Sequence, residues 1–149
     1  MEGPPLQLNA LSGREASIFA CLTDTFVQPR PPLPPVRETD AVAFFDRWME
    51  LSPSRNRAGL RVLLYAIEVG PPLTGRRRRL RRLDPAARAS YLRAIETARV
   101  ATLRQLAKLI KGMTFVSYYG DDRIMRQIGY DPDANLERGR RLRADEGRP

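Results

Sequence analysis

The sequence predicts an all-α fold, and three observations carry the prediction. Apolar residues recur at three- and four-residue spacing over most of the first 134 positions, prolines and capping residues punctuate those stretches, and no run alternates apolar and polar residues as a half-buried strand does. A chain of 149 residues with 42% hydrophobic content can bury one modest core and has little material for a second. The expected architecture is a single irregular bundle of about five helices over residues 1–134, with a proline-rich strap and a charged, flexible tail at 135–149.

Each element has its own signal. Ser12-Gly-Arg-Glu15 reads as a capping box, and Ile18, Phe19, Leu22, Thr25 and Phe26 follow it at helical spacing. Pro29, Pro31, Pro32, Pro34 and Pro35 forbid helix and favour an extended strap. Thr39 or Asp40 caps a short second helix through Met49, which gathers Phe44, Phe45 and Trp48 into an aromatic anchor. Ser52-Pro53-Ser54 breaks the chain, and a third helix from about Arg55 to Val69 carries the stripe Leu60, Leu63, Leu64 and Ile67 before Gly70-Pro71-Pro72 ends it.

Asp84 before Pro85 is a helix start, N-cap followed by proline at the first helical position. Leu92, Ile95, Leu103, Leu106, Ile110 and Met113 keep helical spacing almost to Tyr119, a length that predicts a kink or two abutting helices near Thr97 to Thr102. Gly120-Asp121-Asp122 turns the chain into a last short helix, Arg123 to Ile128, closed by Gly129. Beyond Asp133 the only large apolar residues are Leu136 and Leu142, hence the expectation of a frayed tail.

Charge is the second theme. Twenty-six Lys and Arg against 17 Asp and Glu leave a formal +9, and nearly all the cations are arginine, Lys108 and Lys111 being the only lysines. Guanidinium groups pair bidentately with carboxylates or phosphates, so an acidic partner is implied: nucleic acid, a phospholipid surface or an acidic protein face. The run Arg76-Arg77-Arg78-Arg79-Leu80-Arg81-Arg82 is its centre, readable as a solvated connector or as a contact for phosphates. No zinc-finger spacing, RNP aromatics, Gly-X-X-Gly clamp or recognition-helix pattern accompanies it, which disfavours nucleic acid.

Catalytic chemistry has few candidates. The absence of histidine removes Ser-His-Asp and Cys-His arrangements and the usual nitrogen ligands of zinc, copper and haem. Cys21 is alone and sits within the apolar pattern of the first helix, where a small buried hydrophobe is expected. Asp121-Asp122, beside Tyr118 and Tyr119, reads as helix-start chemistry rather than an acid–base pair. Neither a dinucleotide-binding glycine pattern nor a P-loop occurs. No window nears the roughly 20 apolar residues of a membrane span. Met1-Glu-Gly-Pro-Pro5 carries no export signal, so a cytoplasmic location is expected.

The segment from Phe115 to Pro132 packs aromatics, charges and turn residues together, as an interface anchor or a closing corner would. Within it Tyr118-Tyr-Gly-Asp-Asp-Arg-Ile-Met-Arg-Gln-Ile-Gly-Tyr130-Asp-Pro resembles the carboxy-terminal signature of the gluconate 2-dehydrogenase subunit 3 family, a Tyr-Tyr-Ser-Asp-Pro stretch followed by Leu-Gly-Tyr. Leu83-Asp-Pro, Tyr91-Leu92, Arg104 to Lys111 and Leu22-Thr-Asp-Thr-Phe-Val-Gln-Pro29 are similar to other positions of that family, so the resemblance runs to about residue 134. Asp122 stands where the family usually has proline, and the twin-arginine signal of its exported members is absent.

What the resemblance implies is a non-catalytic small subunit that supports the folding, stability or export of a flavin-dependent dehydrogenase of the glucose-methanol-choline type. FAD would lie in the large catalytic subunit, a cytochrome subunit could accept its electrons, and this chain would hold no cofactor or metal of its own. A periplasmic location would then require export with a partner. The residues expected at the partner interface are Trp48, Tyr118, Tyr119, Arg123 and Tyr130. The alternative is a basic helical nucleic-acid-binding protein using Arg76 to Arg82 and the tail arginines Arg138 to Arg143.

Overall fold

A computed structural model describes residues 7–146, so the Met1 to Pro5 stretch and the last three residues of the tail lie outside the described residues. Among the described residues the chain is all-helical, with seven α-helices and no strand: α1 (Gly13–Val27), α2 (Ala41–Leu51), α3 (Ser54–Val69), α4 (Pro85–Glu96), α5 (Ala101–Tyr119), α6 (Asp122–Gln127) and α7 (Pro132–Glu146). Three short 3-10 turns, Val36–Glu38, Pro71–Thr74 and Leu80–Arg82, shape the connections.

The central element is α1, which packs against α2, α3, α4 and α5. Its start is fixed by the expected capping box: Ser12 Oγ accepts from the Glu15 amide, and Glu15 Oε2 accepts from the Ser12 amide at 2.8 Å. Its Ile18, Phe19 and Leu22 are fully buried among Phe45 and Met49 of α2, Leu60 and Leu64 of α3, Tyr91 and Leu92 of α4 and Ile110 of α5. Phe19 and Phe45 stack with centroids 3.8 Å apart and rings 7° from parallel. Burying a side chain of that size contributes about 2–3 kcal/mol, so this pair is a strong apolar tie between α1 and α2.

A carboxylate holds the segment that leads into α1. Asp46 of α2 accepts from three successive main-chain amides, Asn9 at 2.9 Å, Ala10 at 3.0 Å and Leu11 at 2.7 Å. Burial pushes this carboxyl up, but the three amide hydrogen bonds more than offset that, and it titrates below the usual carboxylate range. Arg61 of α3 reinforces the same join, pairing with Glu15 at 3.2 Å and donating to the Ala10 carbonyl.

The long apolar stretch after Asp84 is two helices, with the break at 97–100. Arg104 explains why a break there is tolerated: its Nη1 donates to the carbonyls of Ala98 at 2.7 Å and Arg99 at 2.9 Å, satisfying groups that helix would otherwise bond. Lys111 then bridges α5 back to Glu96 of α4 at 2.6 Å. Leu103 is exposed, so the buried stripe of α5 starts later than its apolar spacing suggests.

The tail is a correction. Instead of fraying beyond Asp133, the chain forms α7 from Pro132, and the Asp131 carboxylate accepts from the amides of Asp133 and Ala134 at 3.0 and 3.1 Å. The start signal, a capping acid followed by proline, outweighs the polar composition that suggested disorder. Leu136 and Leu142 are exposed, and Glu137 pairs with Arg141 one turn on.

Candidate functional site

The carboxy-terminal corner is built around Tyr118. Steps of four from Ile110 reach Thr114 and Tyr118, and all three are buried. Tyr118 packs with Val36, Ala41 and Ile124 in a small second core, separate from the one that Trp48 joins. Its phenol donates to the Pro34 carbonyl at 2.6 Å, and Gln127 Nε2 donates to the Pro32 carbonyl at 2.8 Å, so the proline strap is clasped from below by α5 and α6. Burial, reinforced by the charges of Tyr119 and Asp121, pushes the Tyr118 phenol up.

Asp121 is the electrostatic centre of the corner. Its Oδ1 accepts from the Arg123 amide at 2.8 Å and caps α6, while Oδ2 accepts from the Asp40 amide at 3.1 Å at the start of α2. The Arg123 guanidinium donates to both oxygens, at 3.2 and 2.9 Å, and also to the Glu38 carbonyl at 2.9 Å. Those bonds from Arg123, against burial and with the two amides, hold the Asp121 carboxyl at about 2. Asp121 is thus a structural cap that ties two distant helix starts together.

The five expected interface residues separate on this geometry. Tyr118 is fully buried, so it is a core residue and not part of a surface offered to a partner. Tyr119 is half-buried, edge-on to Tyr118 at 5.1 Å and stacked on Phe115 at 5.9 Å. Trp48 is half-buried in the main core, stacked 6.2 Å from Phe45. Arg123 is exposed but its guanidinium is engaged within the chain. Tyr130 is exposed, following the Gly129 turn whose left-handed backbone (φ 76°) lets the Tyr130 amide reach the Met125 carbonyl at 2.8 Å and close α6.

The apolar spacing of α5 also hides a second face. Thr102, Gln105, Leu109, Gly112 and Val116 follow one another at three- and four-residue steps, all are exposed, and none is charged. Phe44 of α2 lies partly exposed beside Gly120, where α5 ends. In a chain with 29% charged residues, an uncharged outer stripe nearly four turns long is conspicuous. Leu109 and Val116 lie off the inward pattern of Leu106, Ile110 and Met113, and that displacement is the sequence signal for the stripe.

Two further places hold chemistry. The arginines after Gly75 border a surface recess of about 870 Å³. Cys21 is half-buried against the main core, as its position suggested, and its sulfur also accepts from Arg88 Nη1 of α4 at 2.9 Å. Among the described residues no group of three or more His, Cys, Asp or Glu side chains is placed to hold a metal ion, and no helix is long and apolar enough to cross a membrane. Comparison with protein-family models, curated proteins and solved structures finds no match to this chain.

Proposed function

We propose that this chain is a non-catalytic accessory subunit that stabilises or chaperones a larger FAD-dependent alcohol or sugar dehydrogenase by docking against it. The observation that carries the reading is the uncharged outer face of α5, Thr102, Gln105, Leu109, Gly112 and Val116, left exposed on a strongly basic helical chain. Stable interfaces bury an uncharged centre within a polar rim, and Leu109 and Val116 give this stripe exposed apolar side chains, with the exposed Lys108 of the same helix beside them. Gly112 contributes by leaving open space above the helix, so a partner can approach its backbone closely. The resemblance of Tyr118 to Pro132 to the small subunits of such dehydrogenases supplies the class of partner; its aromatic and turn residues hold the α5–α6 corner and the strap in place.

Affinity purification of the tagged chain from its native host, with mass spectrometry and an absorbance scan, tests the reading. A stoichiometric flavoprotein lost on Leu109→Glu with Val116→Glu is the expected result. Recovery of the chain alone, or with nuclease-sensitive material and no flavin, removes it.

A further inference from the structure

The arginine run is anchored at both ends, which gives a charged connector a fixed shape. At its start the Arg76 guanidinium lies 5.3 Å from the centroid of the Tyr91 ring and donates to Thr74 Oγ1 at 2.8 Å and Ser90 Oγ at 3.3 Å. Toward its end Leu80 is fully buried, and Arg81 donates to the buried Glu68 carboxylate through Nε at 3.0 Å and through its own amide at 3.3 Å. Arg77, Arg78, Arg79 and Arg82 are exposed and make no ion pair or side-chain hydrogen bond with another described residue. With Arg14 of α1, held 5.4 Å over the Tyr65 ring, they border the recess of about 870 Å³ whose one carboxylate, Glu68, is already paired.

We propose that this recess binds a compact oligophosphate, a tripolyphosphate group either free or at the end of a nucleotide. Three arguments select that chemistry. Guanidinium forks bind phosphate oxygens bidentately, and the fixed backbone of the run lowers the entropy lost in bringing several together. The cations surround a concavity instead of lining a ridge, which suits a short anion inserted end-on better than a backbone that must track along a stripe. The wall offers no ring for stacking, because no aromatic residue lines it and the one lining residue without a charge is Pro72.

Calorimetric titration of the full chain with inorganic tripolyphosphate at about 0.15 M salt tests the proposal. One saturable site per chain is expected. It is weakened roughly a hundredfold by Arg77→Ser, Arg78→Ser and Arg79→Ser together, and about tenfold by Arg78→Ser alone. The triple Arg138→Ser, Arg140→Ser and Arg141→Ser on α7 removes the same charge and leaves the site intact. A parallel titration with ATP separates the sources: equal or weaker binding assigns the free chain of phosphates, tighter binding a nucleotide. The proposal is overturned by absence of saturation, by equal losses in the two triple variants, or by a single-stranded oligonucleotide that displaces tripolyphosphate with affinity rising with its length.

Discussion

The phenol of Tyr118 donates to the carbonyl oxygen of Pro34 at 2.6 Å, across 84 positions of sequence. One bond therefore joins the last turn of α5 to a strap whose own main-chain bonding is sparse, with Leu33 donating to the Arg30 carbonyl at 2.9 Å. The five prolines of the strap each lack an N–H, and the Pro34 carbonyl is met by a side chain from a distant helix.

Tyr118→Phe keeps the ring and removes only that donor. It is expected to cost about 1 kcal/mol, read as a lower midpoint in urea with unchanged slope. An unchanged midpoint would mean that this hydrogen bond adds nothing to the hold on the strap.

Acid sensitivity should concentrate in the same corner. The Asp121 carboxyl, held at about 2 against an ordinary 3.8, is depressed in the folded state. Its contribution, about 2 kcal/mol, is therefore present above 3.8 and is lost as pH falls through that value toward 2. Asp46, also lowered, adds to the loss in the same direction. Asp121→Asn should be less stable at neutral pH and show a shallower decline on acidification, checked by urea midpoints over that range.

Glu68 and Arg81 form another ion pair on a buried carboxylate, with side chains 2% and 32% exposed. Arg81→Ala leaves a buried carboxylate without its guanidinium and is expected to cost about 2 kcal/mol. Adding Glu68→Met should restore most of that loss, and a double variant no more stable than Arg81→Ala in thermal unfolding would contradict the account.

Much of this architecture is legible from short-range signals. The capping box Ser12/Glu15, the Asp84-Pro85 start and the Gly129 stop rest on hydrogen bonds within one turn, so local sequence contains the whole interaction. Tyr118 shows where legibility ends. Its helical register points inward, yet its partner at Pro34 is remote, and an aromatic-rich segment with arginines reads equally as an interface. The anchoring of Arg76 on Tyr91 and of Arg81 on Glu68 is likewise tertiary, so the run looks like a loose connector until the fold brings those groups together. In α7 the Asp131-Pro132 start was the informative pair, and the charged composition after it was not.

The outer face of α5 separates folding from docking. Leu109→Glu with Val116→Glu alters two exposed positions, so the isolated chain should keep its helical content and stability to within about 0.5 kcal/mol. Circular dichroism and a denaturation curve check that half, and recovery of the partner checks the other.

Gly129 should be the sensitive point between α6 and α7. Its φ of 76° suits glycine, and an added Cβ meets open space, so Gly129→Ala isolates backbone strain at about 1 kcal/mol. Faster amide exchange at Tyr130, whose N–H closes the turn, is the accompanying readout.

The clasp on the strap also sets an order of events during synthesis. Pro32 and Pro34 leave the ribosome early, whereas Gln127 and Tyr118, which bond their carbonyls, arrive only after most of the chain has been made. Ile110, which completes the main core around α1, is equally late. The nascent polypeptide thus carries Ile18, Phe19 and Leu22 unburied by α5 for most of its elongation, at about 5–20 residues per second, and closes in a final step when the last third emerges. A chaperone that shields α1 over that interval would act on the half-made chain, before any docking surface exists.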